Sequence, residues 1–156
     1  MSMEISSADG WNKISFVPQS RFPANPQFFL AELVITGKFW DRESALFPES
    51  TLELTDDFQV ELRQVVVLAE RMKELAGYLE RWLSDFSEFE IRLSEERGPT
   101  VVVAVGVRAD FISKPERPVF TLRYTTSRMR AEWCFVTDPY CVSGFLEGVR
   151  GWLDAG

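Results

Sequence analysis

Residues 87–108 read SEFEIRLSEERGPTVVVAVGVR. Polarity alternates in the first part: Phe89, Ile91 and Leu93 fall on one side, Glu88, Glu90 and Arg92 on the other. A period of two marks a strand with one buried and one wet face. Gly98-Pro99 then supplies a turn. In the second part Val101, Val103, Val105 and Val107 make one apolar face. Val102, Ala104 and Gly106 make the other face, which is small and apolar too. Two strands joined by a short turn pair antiparallel, so an antiparallel sheet is the frame of the fold. The small face of the second strand is expected to be covered, because a monomer seldom exposes a continuous apolar patch above a few hundred Å². The candidate covers are the Pro-rich segment near Phe22 to Phe29 and the helices.

Upstream of this hairpin the period changes. Leu68, Met72, Leu75, Leu79, Trp82 and Phe86 step by four and three, which is one face of a helix. The spacing predicts an amphipathic helix from about Val66 to Ser84, packed on the sheet. Gly77 lies inside it at about 1 kcal/mol relative to Ala, and a close crossing over a strand would account for it. Further upstream, KISFV (13–17), FFLAELVITGKFW (28–40), TLEL (51–54) and FQVELRQ (58–64) are strand-like. Both faces of the second are apolar, so it is expected to be central or covered. Pro18, Pro23 and Pro26 predict a loop, and DRESALFPES (41–50) another. Residues 1–12 are polar and expected to be flexible.

Downstream, SKPERP (113–118) predicts a turn, and VFTLRYTT and MRAEWCFV two more strands. Asp138 is then a good N-cap and Pro139 belongs at the first position of a closing helix. Cys141, Phe145, Val149 and Trp152 form its apolar stripe, and Gly144, Gly148 and Gly151 thin one side, as close packing on a sheet would need. No internal repeat or linker is visible. The expectation is one α+β domain over residues 1–156: a two-layer sandwich with a mainly antiparallel sheet of about six strands and two helices.

At 156 residues the chain can bury a real core without staples, and 46% hydrophobic content supplies it. No apolar run approaches a membrane span of about 18 residues. The opening MSMEISSADGWNK has no signal pattern, so a cytoplasmic protein without a membrane partner is expected. Cys134 and Cys141 are the only cysteines and read as two buried free thiols.

The sequence contains no histidine. Ser-His-Asp and Cys-His chemistry is thereby excluded, and the commonest transition-metal ligand is missing. No metal site, cofactor or enzymatic activity is expected. Glu88 and Glu90 lie on one strand face roughly 7 Å apart, which suits a wet face better than a catalytic pair. Asp56, Asp57 and Glu61 lack the Asp-x-Asp-x-Asp-Gly pattern of a calcium loop. Arg123, Arg128 and Arg130 form a small basic cluster that balances acid elsewhere in the molecule.

Net charge is −7, and it is uneven: residues 43–96 carry fourteen acidic and five basic side chains, whereas residues 97–156 carry six and eight. An acidic half argues against nucleic acid, whose phosphates require a basic surface. It suits a basic protein partner. The candidate docking residues are Asp56, Asp57, Glu61, Glu88, Glu90, Glu95 and Glu96, which hold much of the excess acid.

The order ELVITGKFW, DFQVELRQVVVLAERMKELAGYLERWL, FEIRLSEERGPTVVVAVGV, MRAEWCFV and SGFLEGVRGWL resembles the WapI-type immunity proteins of bacterial polymorphic toxin systems. The likeness spans residues 28–153 and rests on the pattern of apolar positions. The first hairpin strand lacks the proline that the family carries there. The resemblance implies a single α+β domain that neutralises a toxin by binding it. The alternative is a small-ligand or regulatory domain using a concave sheet face.

Overall fold

The computed structural model describes residues 3–22, 25–38, 57–95, 97–106 and 118–155. Their elements run β1 (Met3–Ser6), β2 (Lys13–Phe22), β3 (Asn25–Lys38), β4 (Asp57–Leu68), α1 (Ala69–Asp85), β5 (Phe89–Arg92), β6 (Thr100–Gly106), β7 (Val119–Thr125), β8 (Arg130–Val136) and α2 (Pro139–Ala155). The strands form two antiparallel sheets, ordered β1-β2-β3-β4 and β5-β6-β7-β8. The α+β sandwich with two helices is therefore observed. The described strands number eight, in two sheets, against an expected sheet of about six. Topologically the described elements run four strands and a helix, twice over, a repetition that the residue pattern does not display.

Alternation builds both sheets. On the first, Ile14, Phe16, Phe29, Ala31, Leu33 and Ile35 point inward and are buried. On the second, Val101, Val103, Val105, Phe120 and Leu122 do the same. The helices join this core: Met72, Leu75, Leu79 and Trp82 from α1, and Val142, Phe145, Leu146 and Val149 from α2, are buried within one cluster. Phe145 ties the sheets together, with its ring centroid 5.6 Å from that of Phe16 and 6.0 Å from that of Phe120. Each such side chain, fully buried, contributes roughly 1.5–3 kcal/mol from the area it removes from water.

The sheets also meet through the backbone at two corners. At one, Val67 bridges Ser94, and the Leu68 N–H donates to the Leu93 carbonyl at 3.0 Å. At the other, the Ala8 N–H donates to the Val136 carbonyl at 2.8 Å, and the buried Thr137 hydroxyl donates to the Ser6 carbonyl at 3.2 Å.

Several local expectations are corrected. The start of the chain belongs to the fold: Met3 and Ile5 are fully buried on β1, and a hydrogen-bonded turn through Ser7 and Gly10 leads into β2. Pro18 and Pro26 lie in strands rather than a loop. Pro18 is tolerated because β1 pairs β2 only as far as Phe16, so beyond it the outer edge of β2 needs no N–H, and a register shift follows between Pro18 and Ser20. The first helix starts at Ala69, not near Val66. Val65, Val66 and Val67 are β-branched and stay in β4, paired with Ala31, Leu30 and Phe29. Leu68 accordingly caps the helix instead of lying on its buried face. Phe86 ends that helix in the left-handed region, φ 58°, and is 60% exposed. The segments TLEL and DRESALFPES, and the SKPERP turn up to residue 117, lie outside the described residues.

Candidate functional site

The question posed by the small face of β6 has a structural answer. The opposite face, Val101, Val103 and Val105, is buried in the core cluster that the helices join. Val102, Ala104 and Gly106 are half-buried. Charged side chains from the flanking strands and from Glu88 lie against this face. β6 runs between β5 and β7, with Glu90 beside Ala104 and Arg92 beside Val102 on one side, and Thr121 and Arg123 in the matching places on the other. The Arg123 guanidinium pairs with the Glu90 carboxylate across β6. Just before β5, Glu88 lies along Gly106: a Cβ placed there would sit 3.2 Å from the Glu88 carboxyl group. Small residues on the middle strand thus let the carboxylates of the edge strand reach across it.

Beside these side chains is a depression of about 450 Å³. Ala104, Gly106, Val119 and Thr121 line it, and Glu88, Glu90, Glu132 and Arg123 stand around it. Among the described residues that line it, three carboxylates and one guanidinium leave the balance negative. Arg92 turns toward the hairpin end, donating to the Glu95 carbonyl at 2.7 Å. Phe86 ends the first helix two residues before Glu88. Its left-handed backbone costs roughly 1–2 kcal/mol for a residue with a Cβ, and its ring meets Trp82 edge-on at 5.2 Å.

The candidate acidic residues therefore separate. Glu88 and Glu90 stand together on the outer face of the second sheet. Glu95 follows β5 and is exposed. Glu61 is on the outer face of the first sheet, beside Val34 and away from the shared core. There it accepts hydrogen bonds from Arg63 at 2.9 Å and Gln59 at 2.8 Å. The Arg63 guanidinium, with Gln59, holds its carboxyl below the usual carboxylate range. Asp57 opens β4, opposite Lys38. Asp56 and Glu96 lie outside the described residues.

The sequence reading missed Glu132 and the position of Arg123 in this face. Both alternate outward on their strands, Arg123 directly opposite Glu132, but only the pairing of β7 with β6 and β8 brings them to Glu90. A second depression, of about 780 Å³, lies where β1 meets the start of α2, with Tyr140 87% exposed beside it. There Asp138 caps α2 as expected, accepting from the Cys141 N–H at 2.8 Å. Both cysteines are free thiols, half-buried rather than buried as expected. Burial, and then the hydrogen bond and charge of Asp138, push the Cys141 thiol up to about 11. Among the described residues no group of three or more His, Cys, Asp or Glu could hold a metal ion, and no helix is long and apolar enough to cross a membrane.

No protein-family model matches the chain. No curated protein matches it either.

Proposed function

We propose that this chain is an immunity-type inhibitor that binds a basic toxin domain in the bacterial cytoplasm, without catalysis or cofactor, and docks it on the outer face of the second sheet. The observation that carries the reading is the negative rim of that face, with Glu88 and Glu90 laid over a floor of small residues and Glu132 on the far side. An inhibitor needs a complementary surface and no reaction chemistry. Opposite charge speeds its encounter with a basic partner, more so at low salt. Exposed Phe86, two residues before Glu88 in the chain, would supply an apolar anchor, and aromatic anchors carry much of the energy of protein interfaces. Glu61 takes little part, because it lies on the first sheet, away from this face. The small-ligand alternative has the depression in its favour, since about 450 Å³ is a ligand-sized volume. The charged rim and the uneven charge of the chain favour a basic protein.

Growth tests the reading. A toxin domain encoded beside this gene is produced in bacteria with or without the chain. The native chain should restore growth, and the Glu88→Lys/Glu90→Lys pair should abolish protection while remaining folded. A native chain that neither protects nor binds that domain refutes the proposal.

A further inference from the structure

Phe86 is unfavourable to the free chain in two ways. Its backbone is left-handed, φ 58°, a conformation that glycine adopts freely and a residue with a Cβ does not. Its side chain is more than half exposed, so burial offsets only part of that strain. Hydrogen bonds on both sides nevertheless hold the geometry. The Phe86 N–H donates to the Trp82 carbonyl at 2.8 Å. The Ser87 N–H donates to the Asp85 carboxylate at 2.9 Å, which closes a clamp around Phe86. The Ser87 hydroxyl, and then this N–H, hold the Asp85 carboxyl below the usual carboxylate range. The Phe86 ring itself rests against buried Trp82. Close by in the chain, partly exposed Tyr78 stacks on Phe89 with ring centroids 5.4 Å apart. Strain that the surroundings keep in place, at a side chain the core does not need, marks a position kept for function.

Resting on the immunity reading, we infer that Phe86 is a preorganised knob that enters an apolar pocket of the basic partner, a pocket rimmed by lysine or arginine. The charge of the segment argues for that rim: residues 85–96 carry five acidic side chains and one basic one. A ring already fixed in its bound position loses little freedom on docking, and aromatic side chains are stiff to begin with. Glycine at this position would end α1 with less strain and would leave the partner's pocket empty.

The test uses the full chain and the toxin domain encoded beside this gene. Phe86→Ala removes the ring and keeps the strain; Phe86→Gly removes both. Each variant should bind the toxin domain at least about tenfold more weakly than the native chain, mainly through faster dissociation. The glycine variant should unfold at a higher urea concentration than the alanine variant, because it alone relieves the backbone. Native-like amide spectra check that both fold. Native affinity in either variant overturns the inference. So does an alanine variant as resistant to urea as the glycine variant, since the backbone would then hold no strain. A native chain that dimerises through Phe86, and loses the dimer in Phe86→Gly, assigns the knob to a second copy and overturns it as well. In each of these events, growth protection that still depends on Glu88 and Glu90 leaves the immunity reading standing. A native chain that neither binds the domain nor protects removes the immunity reading, and the partner's pocket with it.

Discussion

Gly77 and Gly106 show how the same residue type has opposite grounds. Gly106 is small because Glu88 lies against it. Gly77 was expected to mark a close crossing, yet it is exposed, and a Cβ there would meet nothing within 4 Å. Gly144 on α2 is likewise exposed and open, so close packing on a sheet does not explain it. Gly77→Ala should therefore raise stability by about 0.5–1 kcal/mol through helix propensity and a less disordered unfolded chain. A higher urea midpoint with an unchanged slope checks this; a lower midpoint would reveal a contact at that position. Cys141 gives a pH dependence. Its folded thiol titrates near 11 against an ordinary value of 9.0. Below 9 both folded and unfolded states hold the proton, and the contribution to stability is fully present. Between 9 and 11 the unfolded chain gives up its proton first, so stability falls as pH rises. In a Cys134→Ser background, the alkylation rate of Cys141 by iodoacetamide should keep climbing above pH 9. A rate that levels off below pH 9 contradicts the burial described for this thiol.

Periodicity located the elements, and pairing set their ends. The step of four and three through Met72, Leu75, Leu79 and Trp82 reads directly as the buried face of α1. Leu79→Ala should cost about 2–5 kcal/mol, because the side chain is fully buried and a cavity would remain. An unaltered thermal midpoint for this variant would show that the face is not core. Leu68 fits the same spacing but belongs to β4, since its N–H is held by Leu93 across the corner between the sheets. No local pattern carries that information. The same limit applies to Pro18, which reads as a loop residue until the short reach of β1 is known. The central place of β3 was legible, because both of its faces are apolar. The burial of Met3 and Ile5 was not, because two apolar residues in a polar segment carry no period and their partners on β2 lie beyond the turn.

At the scale of the molecule, the two antiparallel sheets share one core and turn their outer faces away from each other. The acidic residues grouped by sequence are divided by this geometry, Glu61 going to one face and Glu88 and Glu90 to the other. Charge totals along the chain underlie the expectation of a basic partner but could not resolve the face. Glu132 and Arg123 come from the part of the chain with a positive balance, and β-pairing alone brings them to the acidic edge. The outer face of the second sheet is the proposed docking surface, and a hydrogen-exchange footprint tests it most directly. The full chain is compared free and bound to the toxin domain that the proposal assigns to it. Slowed exchange is expected at residues 86–92, 102–106 and 121–123, with the outer face of β1 to β4 unchanged. A footprint centred on Glu61 and β4, or on Tyr140 and the start of α2, would contradict the assignment.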